Sequence, residues 1–163
     1  MKISCLDISI ILWVNNMQKE RIFEKLKEIE ENTELIERYL PASLEEFKAL
    51  GLVKDGIYKR LEHSVENIID IFAMIYSSLH LGVPSDDDDI LERLQKKKIF
   101  DDNIMSIVRT MKGLRNILVH RYGTINDEQV HELLIEHLSD FKKIEKAVVQ
   151  YLKTVKTKNL PKK

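Results

Sequence analysis

The chain of 163 residues contains one cysteine, three prolines and five glycines. The single cysteine, Cys5, excludes a disulfide within the chain, and no Cys/His cluster has the spacing of a zinc site. The few glycines form no glycine-rich loop of the kind that binds phosphates. These absences predict a protein that uses no metal and no other cofactor, and the cysteine usage fits a reducing cytoplasm.

Long hydrophobic runs and a charge imbalance are also missing. The longest apolar stretch, ISIILWV, follows Asp7 near the start of the chain and is too short to span a membrane. The formal net charge is −1, so the chain as a whole does not attract nucleic acid. We therefore expect no membrane contact. Any RNA contact must use a local basic patch, for which Arg109, Lys112 and Arg121 are the candidates.

Apolar residues recur at helical spacing through most of the chain. The pattern predicts helices over residues 17–40, 44–50, 53–81, 101–120 and 127–154, with a further helix that starts in the acidic run at 86–89. With 44% apolar residues, the chain is large enough for one domain with a sizeable core. Long helices joined by short connections predict an all-α fold, namely an antiparallel four-helix-type bundle with one or two short extra helices.

Three segments differ in composition. Residues 1–16 form an apolar leader, residues 17–155 the helical domain, and residues 156–163 a basic tail that we expect to be frayed. The leader has two interpretations of equal weight. In the first, Met17 is the natural start and the leader is a start-site extension. In the second, the leader belongs to the fold as a short packing strand or an extra interface segment.

Two runs of like charge precede the last helices. Four adjacent carboxylates, Asp86–Asp89, would point in different directions on a helix, and no glycine-turn loop of the calcium type follows them. They are predicted to form an acidic helix N-terminus that complements the helix dipole. The lysines Lys96–Lys98 are predicted to be a solvated helix end rather than an RNA contact.

The stretch LRNILVHRYG at residues 114–123 is the place where chemistry is most plausible. At roughly 100° per residue, Val108, Met111 and Leu118 lie within about 40° of one direction, and Arg115 falls inside that apolar stripe. A guanidinium facing a core is costly unless it meets an anion. That anion is either a carboxylate on a neighbouring helix or the phosphate of a ligand.

Glu66 and Asp70 are the candidate carboxylates. They share one face of the long central helix at i,i+4 spacing, and either one could pair with Arg115. The alternative, held level with this one, is a pair of solvated acids. A further alternative assigns Arg115 and His120 together to compensation of the helix dipole.

Arg115, His120 and Tyr122 form the pattern R-x4-H-x-Y. This pattern, in the setting GLRNILVHRYGTINDEQV, resembles the HEPN superfamily and its HepT-like branch, whose members are small all-helical ribonuclease toxins. Asn116 also matches, because a polar residue commonly follows the arginine in this family. Segments in the family's order cover roughly residues 17–152.

The resemblance implies a metal-independent endoribonuclease. Arg115 would hold the scissile phosphate and His120 would move the proton. Asn116 either orients the phosphate or His120, or is an ordinary polar surface residue. Cleavage through the 2′-hydroxyl would leave a 2′,3′-cyclic phosphate and a 5′-hydroxyl. A homodimer would supply a second histidine.

The resemblance also implies a protein partner. In the HepT-like branch a cognate nucleotidyltransferase antitoxin of the MNT type attaches adenylate groups to the motif tyrosine, here Tyr122. The alternative function is a catalytically silent helical subunit that binds nucleotide or substrate for that partner nucleotidyltransferase.

Overall fold

The computed structural model describes the backbone of residues 5–119 and 126–158, and the side chains of residues 16–118 and 126–155. These ranges contain helices and no strand. In chain order the helices are α1 (Cys5–Tyr39), α2 (Leu44–Lys48), α3 (Leu52–Ser78), α4 (Asp87–Lys96), α5 (Asp102–Val119), α6 (Asp127–His137) and α7 (Asp140–Lys158).

The four long helices α1, α3, α5 and α7 form a bundle in which neighbours run in opposite directions. The contacts that show this alternation are Lys25–Asp70 and Asn32–Arg60 between α1 and α3, Phe72–Phe100 and Glu66–Arg115 between α3 and the two ends of the α5 region, and Glu37–Lys142 between α1 and α7. The predicted all-α fold with an antiparallel four-helix arrangement is confirmed.

The core lies between these four helices because each has an apolar stripe at helical spacing. The largest fully buried side chains include Phe47, Phe72 and Phe141. Phe72 stacks against Phe100 with their ring centroids 4.8 Å apart, which ties the connection before α5 to α3. The buried residues Ile104, Val108 and Met111 of α5 show which side of this helix faces the core.

The first helix begins twelve residues earlier than predicted. Residues 5–16 continue α1, so the interpretation of the leader as a short strand is wrong. The stretch contains no proline and no glycine, and β-branched residues cost a helix only tenths of a kcal/mol each. A helix that is already formed from Met17 onward therefore continues through these residues without a new nucleation step.

The last predicted helix is in fact two helices. The chain turns at Leu138 and Ser139, between α6 and α7. The break lets α6 pack against α2 while α7 packs against α1 and α5. Asp140 accepts hydrogen bonds from His137 and Lys143, which stabilises the start of the new helix. The described residues therefore hold three short helices where the sequence predicted one or two.

The two charged runs occupy the predicted ends of a helix. Asp86 caps α4 by accepting a hydrogen bond from the Asp89 backbone N–H, and the next three aspartates occupy the first turn. Lys96 ends the helix, and the lysines that follow it are exposed. Both runs act on the helix dipole at the expected ends.

Candidate active site

Arg115 lies on the side of α5 that faces α3. The other members of the predicted stripe, Val108 and Met111, are buried, and Leu118 is partly buried. The Arg115 side chain itself is 26% exposed. It therefore sits at the edge of the packed stripe and is partly open to solvent.

The carboxylate that meets this guanidinium is Glu66 of α3. Arg115 Nη2 donates to Glu66 Oε1 at 2.8 Å, and the Glu66 side chain is 43% exposed. Arg115 Nε is shielded from water and has no hydrogen-bond partner among the described residues. A buried donor without a partner is unfavourable. The pair thus holds the guanidinium in place while leaving part of its donor capacity unused.

Asp70, the other candidate carboxylate, has a different partner. Its Oδ2 accepts from Lys25 Nζ of α1 at 2.8 Å, and the same lysine donates to Asn67 Oδ1 at 3.0 Å. One helical turn of α3 therefore separates a contact with α5 from a contact with α1. The interpretation that Asp70 pairs with Arg115 is wrong, because α5 passes α3 at the level of Glu66.

The other polar residues singled out on α5 lie about 60–120° round the helix from Arg115. Arg109 is exposed and donates to Gln95 at 2.7 Å, and Lys112 forms an ion pair with Asp88 at 2.7 Å. Both cations therefore contact the α4 region. Asn116 is exposed. The structure does not bring these three side chains to the Arg115–Glu66 pair.

The remaining motif residues, His120, Arg121 and Tyr122, lie outside the described residues. In the part of the chain that is described, no group of three or more His, Cys, Asp or Glu side chains is arranged to hold a metal ion. Across those same ranges, none of the helices combines the length and the apolar composition that crossing a bilayer requires.

Comparison with known families identifies the chain. The family model described as "Ribonuclease HepT-like" matches residues 29–148, which include the end of α1, all of α2 to α6 and the first nine of the 19 residues of α7. The chain belongs to the HepT-like family of the HEPN superfamily. The match contains Glu66, Arg115, His120 and Tyr122.

Two curated relatives of this HepT-like chain carry ribonuclease names. A protein of Archaeoglobus fulgidus whose name proposes that it is an RNase is 32% identical over 114 residues, which are 70% of this chain and 80% of that protein. The mRNA nuclease HepT of Shewanella oneidensis is 30% identical over 96 residues, which are 59% of this chain and 72% of that nuclease.

Solved structures of toxin–antitoxin complexes have the same fold. A toxin–antitoxin pair named MntA-HpeT contains a chain that is 26% identical and superposes with a TM-score of 0.70, covering 80% of this chain and 98% of that one. A tri-AMPylated Shewanella oneidensis HEPN toxin in complex with an MNT antitoxin is 25% identical, also with a TM-score of 0.70, and covers 80% and 97%.

Sequence reasoning missed one cluster beside the motif of this HepT-like chain. Asp127, the first residue of α6, accepts hydrogen bonds from Lys54 and Tyr58 of α3, each at 2.5 Å. The sequence signal was limited to an aspartate in the first turn of a helix, which is usually a dipole effect. Because its partners lie about 70 residues earlier, the cluster becomes visible only where the start of α6 meets the side chains of α3.

Proposed function

We propose that this HepT-like chain is a metal-independent endoribonuclease toxin, in which Arg115 and His120 act on RNA. The observation that carries the proposal is the partly exposed Arg115 at the edge of the core, held by Glu66 and with Nε left without a partner among the described residues. A surface ion pair of this kind is worth about 1 kcal/mol or less, so stability alone is a weak reason for it. A phosphate supplies the oxygen atoms that the rest of the guanidinium lacks.

Arg115 acts on the charge that develops at phosphorus. When the 2′-oxygen attacks, negative charge grows on the non-bridging oxygens, and the planar guanidinium donates to two of them at once. Glu66 already holds Nη2 of Arg115, so the Arg115 side chain does not have to become ordered during the reaction. Positioning of this kind stabilises the transition state more than the bound RNA.

His120 moves the protons. An imidazole titrates near neutral pH, so it takes the proton from the 2′-hydroxyl or gives one to the leaving 5′-oxygen. The bond between phosphorus and the 5′-oxygen breaks, leaving a 2′,3′-cyclic phosphate and a 5′-hydroxyl. We propose a homodimer in which a second His120 performs the other proton transfer. Asn116 orients the phosphate or the histidine, and Arg109, Lys112 and Arg121 contact the RNA backbone outside the reacting group.

Tyr122 is proposed as the control point. The complexes that share this fold pair a toxin with an MNT antitoxin, and one of these toxins is tri-AMPylated. By analogy, a cognate nucleotidyltransferase antitoxin attaches adenylate groups to Tyr122, seven residues after Arg115. The added phosphates would compete for the guanidinium and repel RNA. The toxin and its partner would act in the cytoplasm, where both ATP and RNA are present.

The test is RNA cleavage by purified, unmodified protein in EDTA, with mapping of the product ends. Arg115→Ala is expected to lower the rate about 100- to 1000-fold. His120→Ala is expected to lower it about 100-fold or more. Arg115→Lys keeps the positive charge but loses the planar guanidinium that donates two hydrogen bonds side by side, so its cleavage rate should also be lower than that of the parent. Arg93→Lys is the matched control, because Arg93 also pairs with a carboxylate, Asp89 at 2.6 Å, but lies on α4.

Two further measurements complete this test. Light scattering gives the molar mass, which should be that of a dimer. Mass spectrometry after incubation with the antitoxin and ATP should place adenylate on Tyr122, and Tyr122→Phe should stay unmodified and active. RNA that stays intact with protein free of adducts would overturn the ribonuclease proposal and favour the silent subunit that serves the nucleotidyltransferase.

A further inference from the structure

The cluster of Lys54, Tyr58 and Asp127 is a tight contact between α3 and α6. Both Asp127 carboxylate oxygens are used, Oδ2 by Lys54 Nζ and Oδ1 by the Tyr58 hydroxyl. The Lys54 and Asp127 side chains are only 18% and 20% exposed, and Tyr58 is buried. Although burial opposes the Asp127 charge, the hydrogen bonds from Lys54 and Tyr58 hold its pKa below the ordinary value. This contact is more enclosed than the Arg115–Glu66 pair.

Aromatic packing reinforces the same corner. The Tyr58 ring packs edge to face on Phe47 of α2, with centroids 6.0 Å apart. Phe47 in turn contacts the His131 ring of α6, whose Nε2–H donates to the Pro41 carbonyl at 2.8 Å. The start of α6 is therefore fixed to both α2 and α3. A hydrogen bond within such a packed corner is stronger than one in water.

This corner lies at the point where the chain leaves the motif. Only residues 120–126 separate the end of α5 from the start of α6. The chain is attached to α3 before this segment, through Arg115 and Glu66, and after it, through Asp127. Tyr58 and Glu66 are eight residues apart on α3, which corresponds to about 12 Å along the helix.

We infer that Lys54, Tyr58 and Asp127 are positioning residues for the motif, acting through the chain that carries His120. The inference rests on the proposed function, because it gives the cluster the task of fixing where the segment with the histidine returns to the fold. A histidine must be placed within a fraction of an ångström to move a proton, and a displacement of about 1 Å costs up to about 100-fold in rate. The cluster touches no reacting atom in this account.

The test compares Asp127→Asn and Tyr58→Phe with Asp140→Asn. Asp140 is the matched control, because it is also the first residue of a helix and accepts from a lysine, Lys143 at 2.6 Å, but α7 is separated from the motif by all of α6. At saturating RNA, Asp127→Asn and Tyr58→Phe should lower the single-turnover cleavage rate about 10- to 100-fold with little change in KM. Asp140→Asn should lower the melting temperature comparably and leave the rate unchanged. Lys54→Arg should retain most of the rate.

A second readout keeps this inference separate from the proposed function. Hydrogen exchange of peptides that contain residues 120–126 should accelerate in Asp127→Asn and Tyr58→Phe but not in Asp140→Asn, whether or not the protein cleaves RNA. If the parent protein does not cleave RNA, the ribonuclease proposal fails, and unchanged exchange would then overturn the positioning role as well. If the parent cleaves RNA, the inference is refuted when Asp127→Asn and Tyr58→Phe show the same cleavage rate and the same hydrogen exchange as the Asp140→Asn control.

Discussion

Glu145 is the ionisable side chain whose removal should stabilise this protein most clearly. It lies on α7 facing Glu30 and Glu34 of α1, and its Oε1 is shielded from water without a hydrogen-bond partner among the described residues. Burial is the main cause that raises its pKa from 4.5 to about 7, and the charge of Glu30 adds to it. Lys142, on its own helix, opposes this rise.

The sign and size of the effect follow from this pKa. The folded protein binds the Glu145 proton more tightly than the unfolded chain, so the contribution of Glu145 to the free energy of unfolding is fully present below pH 4.5 and is lost as the pH rises to about 7. The full difference corresponds to at most about 3 kcal/mol. Water reaches this partly exposed side chain, and screening reduces the loss to about 1–2 kcal/mol.

Glu145→Gln removes the charge and keeps the shape. We expect urea unfolding at about pH 8 to show a gain of about 1–2 kcal/mol over the parent, or about 3–6 °C in Tm, and almost no gain at about pH 5. Glu132→Gln on the exposed face of α6 is the control and should change little at either pH. Protein concentration must be equal throughout, because dimerisation would also shift the Tm. An equal gain at both pH values, or none, would refute the reasoning.

Two further predictions concern the bundle. Phe72→Ala should lower the free energy of unfolding by about 3–5 kcal/mol, because Phe72 is fully buried and stacks on Phe100; a loss below about 1 kcal/mol in urea unfolding would contradict this packing. Gly56→Ala should raise it by about 0.5–1 kcal/mol, because Gly56 is inside α3 and a Cβ there meets no atom of the described residues within 4 Å. Destabilisation by this alanine in thermal unfolding would show that the face of α3 around Gly56 is covered.

The sequence was sufficient for properties that are local along the chain. Apolar spacing gave the four long helices and most of their inward residues, because a helix repeats every 3.6 residues whatever it packs against. The same reasoning identified the acidic helix N-terminus at residues 86–89 and the arginine within an apolar stripe. It failed where a boundary depends on another helix, as at Leu138, where α6 must leave α7 to reach α2.

The tertiary structure alone decided which side chains meet. Glu66 and Asp70 are equivalent in the sequence, one turn apart on one face, yet one contacts Arg115 and the other Lys25. The choice depends on the level and rotation at which α1 and α5 pass α3, and those are set by how their side chains interdigitate. The same physical reason applies to Asp127 and Glu145, because hydrogen bonding and burial are properties of the assembled bundle and not of any one helix.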